Sequence, residues 1–269
     1  MIVAMSARLR AIANETVSIA EQGHYDGPDG RVEIADQVAR AVAGTRLHLP
    51  GDELAAPTTP QPHPPTIEVT AESTLWAARR LGGNPACLNF ASARNPGGGF
   101  RNGAQAQEES LARGSALYPC LLAAGDFYAY HRADPSLLYT DRVIYAPAVP
   151  VFRDDKGRML PAAYPVSFLV SAAPNRSAIA RNQPEAVPEI KGALERRAAR
   201  VLRVAAAHGH RELILGAWGC GVFGNDPAEV AEAFAGALAI SPWFDHVTFA
   251  ILDRTGTIRK AFESVFPAA

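Results

Sequence analysis

Two glutamates stand side by side at Glu108 and Glu109, directly behind Gln107, in a chain of 269 residues. A stretch containing Leu111, Leu117 and Leu121 follows them with apolar periodicity, so a helix is predicted over 106–118 with both acids on its first turns. The helix dipole alone favours carboxylates there. A chemical role therefore needs a partner elsewhere in the chain. Consecutive helical residues point about 100° apart, so these two acids are not twin carboxylates flanking one glycosidic bond. One can act on a bond while the other holds a sugar hydroxyl.

The partners on offer are two glycine-rich segments, each placed just after a predicted buried strand. The first, Asn89-Phe-Ala-Ser-Ala-Arg-Asn-Pro-Gly-Gly-Gly-Phe100, contains three successive glycines, Gly97, Gly98 and Gly99, separated from Gln107 by a seven-residue spacer. Such a run costs backbone entropy, and close approach of main chain to a ligand is one reason to keep it. The second, Gly216-Ala-Trp-Gly-Cys-Gly-Val-Phe-Gly-Asn225, carries Gly219, Gly221 and Gly224. Behind it, Asp226 is an N-cap, Pro227 a first helical residue and Glu229 a capping-box acid. Loop amides and a helix start together make a diphosphate cradle. Each loop alone is read equally well as a tight turn, and it is the pairing at two strand ends that points to a ligand. Phe223 is an aromatic within the second loop, suited to a ribose or base or else to the core beneath it. Cys220 has no histidine near it in sequence and is read as packing rather than as a nucleophile. His208 and His210 end a predicted helix, form no recognised ligand set, and are expected to face solvent or cap it, so no metal site is expected.

The elements that must hold these loops alternate strand and helix. Helices are predicted over 8–22, 35–42, 72–81, 106–118 and 189–208, from near Pro227, and through Phe262 and Val265. Strands are predicted over 32–34, 67–69, 86–91, 143–149, 166–172, 212–217 and 247–252. The two β-rich runs 143–149 and 166–172 have no strong helix between them, which argues for a mixed sheet in a three-layer α/β/α arrangement. Prolines over 57–65 exclude regular structure and read as a surface connection. Hydrophobic residues make up 48% of the chain, enough for a large core. Lys and Arg number 26 against 27 Asp and Glu, so no broad basic face for DNA or a membrane is expected, and an anionic ligand must be gripped locally. Cys87, Cys120 and Cys220 are too few and too scattered for a disulfide framework. No apolar leader and no membrane-length apolar run are found, so a cytoplasmic protein is expected.

The spacing of Asn95-Pro-Gly-Gly-Gly99 and Gln107-Glu-Glu109 resembles the signature of bacterial-type poly(ADP-ribose) glycohydrolases. The segments at 88–95, 139–142, 150–154 and 216–227 resemble the microbial branch of that family as well, so the likeness runs over most of 66–252. It implies a macrodomain-like catalytic domain over 67–269 and an N-terminal helical extension with the Pro-rich connection over 1–66. ADP-ribose is then expected across the top of the sheet. Glu109 is the implied catalytic acid, Glu108 the holder of the ribose, and Asn95, Gly97, Gly98, Gly99 and Gln107 are implied to bind and position ADP-ribose there. The loop Gly219, Cys220, Gly221, Val222, Phe223, Gly224 and Asn225 is implied to wrap the diphosphate, with Phe223 by the terminal ribose.

The expected activity is hydrolysis of ribose–ribose bonds in poly(ADP-ribose), releasing ADP-ribose from ADP-ribosylated proteins without a cofactor. Protonated Glu109 would donate to the departing 2′-oxygen and its carboxylate would then activate water, with the substrate diphosphate stabilising the oxocarbenium-like centre. Two other functions use the same pocket: hydrolysis of single ADP-ribose units from proteins, and ADP-ribose binding without cleavage.

Overall fold

The computed structural model describes residues 2–267 apart from 56, 58, 60 and 62. In chain order the elements are α1 (Ile2–Gln22), β1 (His24–Gly27), β2 (Gly30–Glu33), α2 (Ala35–Gly44), β3 (Arg46–His48), β4 (Thr66–Thr70), α3 (Thr74–Leu81), β5 (Ala86–Phe90), α4 (Gln107–Gly114), α5 (Leu117–Ala123), α6 (Gly125–Ala133), β6 (Val143–Arg153), β7 (Met159–Ser171), α7 (Arg176–Asn182), α8 (Ile190–Ala207), β8 (Glu212–Leu215), α9 (Pro227–Ala239), β9 (His246–Ala250) and α10 (Thr257–Val265). Seven strands form the central sheet in the order β3-β6-β7-β5-β8-β9-β4. The five from β7 to β4 run parallel, whereas β6 is antiparallel to both β7 and β3, so the sheet is mixed.

Each face of the sheet has its own apolar core. On one, Leu88, Leu213, Leu215, Val247 and Phe249 meet Leu194, Val201 and Phe234 from α8 and α9. On the other, Cys87, Ile214 and Phe168 meet residues of α2, α3, α5 and α6. This is the three-layer macrodomain-like architecture. Continuous apolar runs suit strands covered on both sides, and each fully buried large aliphatic contributes about 1.5–3 kcal/mol. Helix α8 buries Ile190, Leu194, Val201 and Ala205 on its predicted face and stops at Gly209, whose φ of +77° no other residue adopts as easily.

The N-terminal segment joins the first of these cores. Ile19, Tyr25, Ile34, Val38 and Ala41 pack with Phe152 and Val166, and β3 adds an edge strand to the sheet. Within the Pro-rich connection, Pro57 O accepts from Trp243 Nε1 at 3.1 Å and Gln61 N–H donates to Pro242 O at 2.6 Å. Positions 58, 60 and 62 of that predicted stretch lie outside the described residues.

Two sequence expectations change. The helix predicted over 106–118 is two helices, because Pro119 sits in the first turn of α5 and supplies no N–H to continue α4. Ser115 at the break pairs instead with Val151 of β6. The two central β-rich runs extend into the long hairpin β6–β7, where Pro150 stands opposite Pro165 and both missing donors fall on one rung. His208 caps α8, one of its two expected roles; its ring stacks on Tyr145 with centroids 3.6 Å apart, and its Nε2 lies 2.9 Å from Nε2 of His48. Burial pushes its pKa down to about 4. His210 meets the Tyr145 hydroxyl at 2.8 Å.

Candidate active site

Strand β5 delivers its carboxyl end to the start of α4, and the contact is made by Gln107. Its Oε1 accepts from the Phe90 N–H at 2.9 Å, while its Nε2 donates to Leu88 O at 2.8 Å and to Thr74 Oγ1 at 3.1 Å. The amide is thus taken up by the protein, and it fixes where the next two side chains point.

Glu108 turns inward and is 3% exposed. Its Oε2 accepts from the Ser92 N–H at 2.7 Å, and Asn89 Nδ2 approaches Oε1 at 3.5 Å. Burial pushes its carboxyl up to about 8, with the neighbouring Glu109 adding to the rise and the Ser92 bond opposing it. Glu109 lies on the next side of the helix against the triple glycine. Its Oε1 accepts the Gly99 N–H at 3.0 Å, and its Oε2 is buried with no hydrogen-bond partner among the described residues.

The glycines are required by this approach. Gly98 has φ of +60°, and a Cβ there would run into the Glu109 carboxylate and lie 3.0 Å from Glu108 Oε2. Gly97 has φ of +70° with the Phe100 ring 2.9 Å from where its Cβ would be. Asn95 closes the turn through its backbone: its O accepts from Gly98 N–H at 2.9 Å and its N–H donates to Ser92 Oγ at 3.1 Å, leaving the side chain exposed. The N-terminal helix braces this loop from behind, with Ala13 of α1 packed on Phe100 and Ala112.

Across the sheet ends, the 219–225 loop follows β8. Gly219 N–H, Gly221 N–H, Val222 N–H and Phe223 N–H have no backbone acceptor among the described residues, whereas Gly224 N–H and Asn225 N–H close the loop on Gly221 O and Gly219 O. Gly219, at φ of +73°, leaves no room for a Cβ beside Asn225 and Ala173. Asn225 is buried and holds the loop from beneath through Nδ2 to Pro174 O at 2.9 Å. Cys220 has its thiol pushed up to about 12 by burial, which suits packing and opposes nucleophilic use. Val222 is 87% exposed at the loop tip, and Phe223 is half-buried with its ring toward the cleft. Asp226 caps α9 as predicted, accepting from Ala228 N–H at 2.8 Å, but Glu229 pairs with Arg176.

Between the two loops lies a cleft of about 390 Å³ bounded by Glu108, Glu109, Ser92, Trp218, Gly221 and Phe223. Of the sequence-predicted site residues it is lined by Gln107, Glu108, Glu109, Gly219, Gly221, Val222 and Phe223, whereas Asn95, Gly97, Gly98, Gly99, Cys220, Gly224 and Asn225 stand behind or beside it. Past Phe90, Gln107 and Ala217 it meets a second hollow of about 350 Å³, walled by Glu72, Thr74, Ile251 and Asp253. Sequence reasoning missed Phe90, Ser92 and this second hollow. The first two lie inside the quoted loop, where a strand's last residue and a serine gave a visible though unweighed signal; the hollow joins three distant segments and has none. Among the described residues no group of three or more His, Cys, Asp or Glu is placed to hold a metal ion, and no helix is long and apolar enough to cross a membrane.

The family model of the microbial-type poly(ADP-ribose) glycohydrolase (PARG) catalytic domain matches residues 13–154. The chain belongs to the microbial-type PARG family. Its resemblance to solved PARG structures extends far beyond that match. PARG from Thermomonospora curvata is 52% identical over 97% of this chain and 100% of that one, with a TM-score of 0.90. The same organism's PARG bound to the inhibitor ADP-HPD is also 52% identical, covering 96% and 99%, at a TM-score of 0.86. PARG from Deinococcus radiodurans in complex with ADP-ribose is 44% identical over 88% of this chain and 99% of that one, at 0.80. No curated protein matches the chain. The PARG model spans the triple glycine and both glutamates, while the 219–225 loop falls in the part covered by the structural likeness.

Proposed function

We propose that this protein hydrolyses the ribose–ribose O-glycosidic bonds of poly(ADP-ribose), releasing ADP-ribose, with Glu109 as general acid and base. The observation that carries the assignment is the division of labour between the two Glu109 oxygens. Oε1 is anchored by the Gly99 N–H, and Oε2 is buried without a partner at the wall of the cleft. An orphaned carboxyl oxygen is costly unless it meets a proton or a substrate group. Protonated Glu109 gives its proton to the departing 2′-oxygen as the C1″–O bond breaks, and its carboxylate then takes a proton from the water that attacks C1″.

Glu108, pinned by Ser92 and Asn89, holds the terminal ribose. The unsatisfied amides of the 219–225 loop, together with the N-terminus of α9, receive the diphosphate, whose charge lies near the oxocarbenium-like carbon. Phe223 covers the ribose. The adenosine continues past Phe90 into the second hollow, which shares Phe90, Gln107 and Ala217 with the cleft. Residues 67–269 form the catalytic unit, and 1–66 pack on it and brace the triple-glycine loop. The three free cysteines support a reducing, cytoplasmic setting, and the polymer substrate makes ADP-ribosylated proteins the partners.

The test is digestion of auto-modified polymer beside a singly ADP-ribosylated protein. Free ADP-ribose from the polymer, with single protein-linked units left behind, is expected. Complete clearing of the singly modified sites would favour a mono-ADP-ribosyl hydrolase, and release from neither would leave a binding module.

A further inference from the structure

The proposed reaction produces two fragments, and the groups described so far hold only one of them. With the ribose at Glu109 and the adenosine beyond Phe90, the leaving polymer must depart at the opposite end of the cleft, between Phe223 and the turn over 92–99. Tyr139 stands behind Phe223 there, with ring centroids 6.3 Å apart and planes tilted by 44°.

The backbone at Tyr139 has φ of +58°, a left-handed conformation that a bulky residue adopts only under constraint. The constraint is visible on every side. Thr140 N–H donates to His131 Nε2 at 3.2 Å, and Asn175 N–H donates to Leu137 O at 3.0 Å. Arg197, fully buried on α8, donates to Leu138 O at 3.0 Å and to Asp141 Oδ1 at 3.1 Å. Part of the ring packs on the core, but core packing alone does not call for a left-handed backbone pinned from three elements. The segment holds one half-buried aromatic ring, packed partly on the core, at one place behind Phe223.

Beside it, the Arg142 guanidinium lies 3.4 Å over the ring of Tyr130, which is 43% exposed. Arg132 reaches from the same helix, α6, to Arg94 O at 2.9 Å with the rest of its guanidinium exposed. The nearby acids are partly committed: Asp141 to Arg196 and Arg197, and Asp134 to the Ser136 N–H. Aromatic faces beside guanidinium groups are the chemistry that grips a nucleotide, through base stacking and phosphate contacts.

We infer that Tyr139, with the Tyr130–Arg142 pair and Arg132, forms the subsite for the leaving ADP-ribose unit of the polymer. This rests on the proposed glycohydrolase reading and names the surface that distinguishes a polymer from a smaller leaving group.

The test compares kcat/KM on poly(ADP-ribose) with that on 1″-O-methyl ADP-ribose, which has the same bond and no nucleotide behind it. The wild type should favour the polymer. In Tyr139→Ala, and in Tyr139→Gly, which suits the left-handed backbone, that preference should fall by about tenfold, whereas Tyr139→Phe should retain it. ADP-ribose affinity by calorimetry and the melting temperature establish that each variant is folded with its product site formed. Arg132→Ala combined with Arg142→Ala should reduce the salt dependence of KM for the polymer. A polymer preference unchanged in both Tyr139→Ala and Tyr139→Gly overturns the subsite while leaving the glycohydrolase reading intact. Failure of the wild type to cleave either substrate would instead overturn that reading.

Discussion

Gly98 is packed against Glu109 so closely that a single methyl group on it would occupy the space of the carboxylate. With φ of +60° the position is also strained for any residue bearing a side chain. Gly98→Ala should therefore displace the acid by a few tenths of an ångström or more. Loss of kcat by about a hundredfold is expected, since small misplacements of a catalytic group have effects of that order. Steady-state turnover of polymer measures it, and kcat within a fewfold of wild type would show that the approach is not critical.

Glu109→Gln keeps the side-chain shape and its acceptor for the Gly99 N–H but removes the proton that the reaction transfers. Turnover should fall by several orders of magnitude, about 10²–10⁴ or more, while calorimetry still detects ADP-ribose binding. Near-normal release of ADP-ribose would falsify the acid/base assignment.

Glu108 offers a pH-dependent test. Its folded carboxyl is pushed up to about 8 by burial, above the range of an exposed glutamate. Below the unfolded value both states carry the proton and the burial costs little. As pH rises toward 8 the unfolded chain releases its proton first, so the ligand-free protein loses stability across that window. Glu108→Gln removes the titration. Its stability should gain on the wild type between pH 5 and pH 8, by a difference on the order of a few kcal/mol, read as a rising gap in melting temperature. Parallel melting curves for the two proteins over that range would refute the raised carboxyl. Glu108→Ala should additionally weaken ADP-ribose binding, because the ribose loses its anchor.

Exhaustive treatment with EDTA should leave turnover unchanged. The proposed proton transfer uses a carboxyl alone, and no three potential ligands converge among the described residues. A rate lost on chelation and restored by zinc or magnesium would require a different mechanism.

Much of this site can be read along the chain, because its chemistry is carried by short contiguous segments. The triple glycine, the adjacent glutamates and the 219–225 loop each hold their residues within a dozen positions, so residue type and spacing alone select them. The buried strands β5 and β8 are equally local signals, being short apolar runs before glycine. Even the unequal orientation of Glu108 and Glu109 follows from helical geometry.

Their environments do not follow from it. Ser92 N–H meets Glu108, Gly99 N–H meets Glu109, and Gln107 binds β5 across 16, 10 and 17 residues of intervening chain respectively. The split between α4 and α5 depends on Pro119 and on a bridge to Val151, and the second hollow depends on β9 meeting α3 and α4. Tyr139 looks like an ordinary loop aromatic until Arg197, 58 positions away, is seen to hold its backbone in place. Residue type sets what a group can do chemically, whereas desolvation, charge proximity and imposed backbone geometry arise from segments distant in sequence. Only the tertiary structure decides which carboxyl is buried and which oxygen is left without a partner.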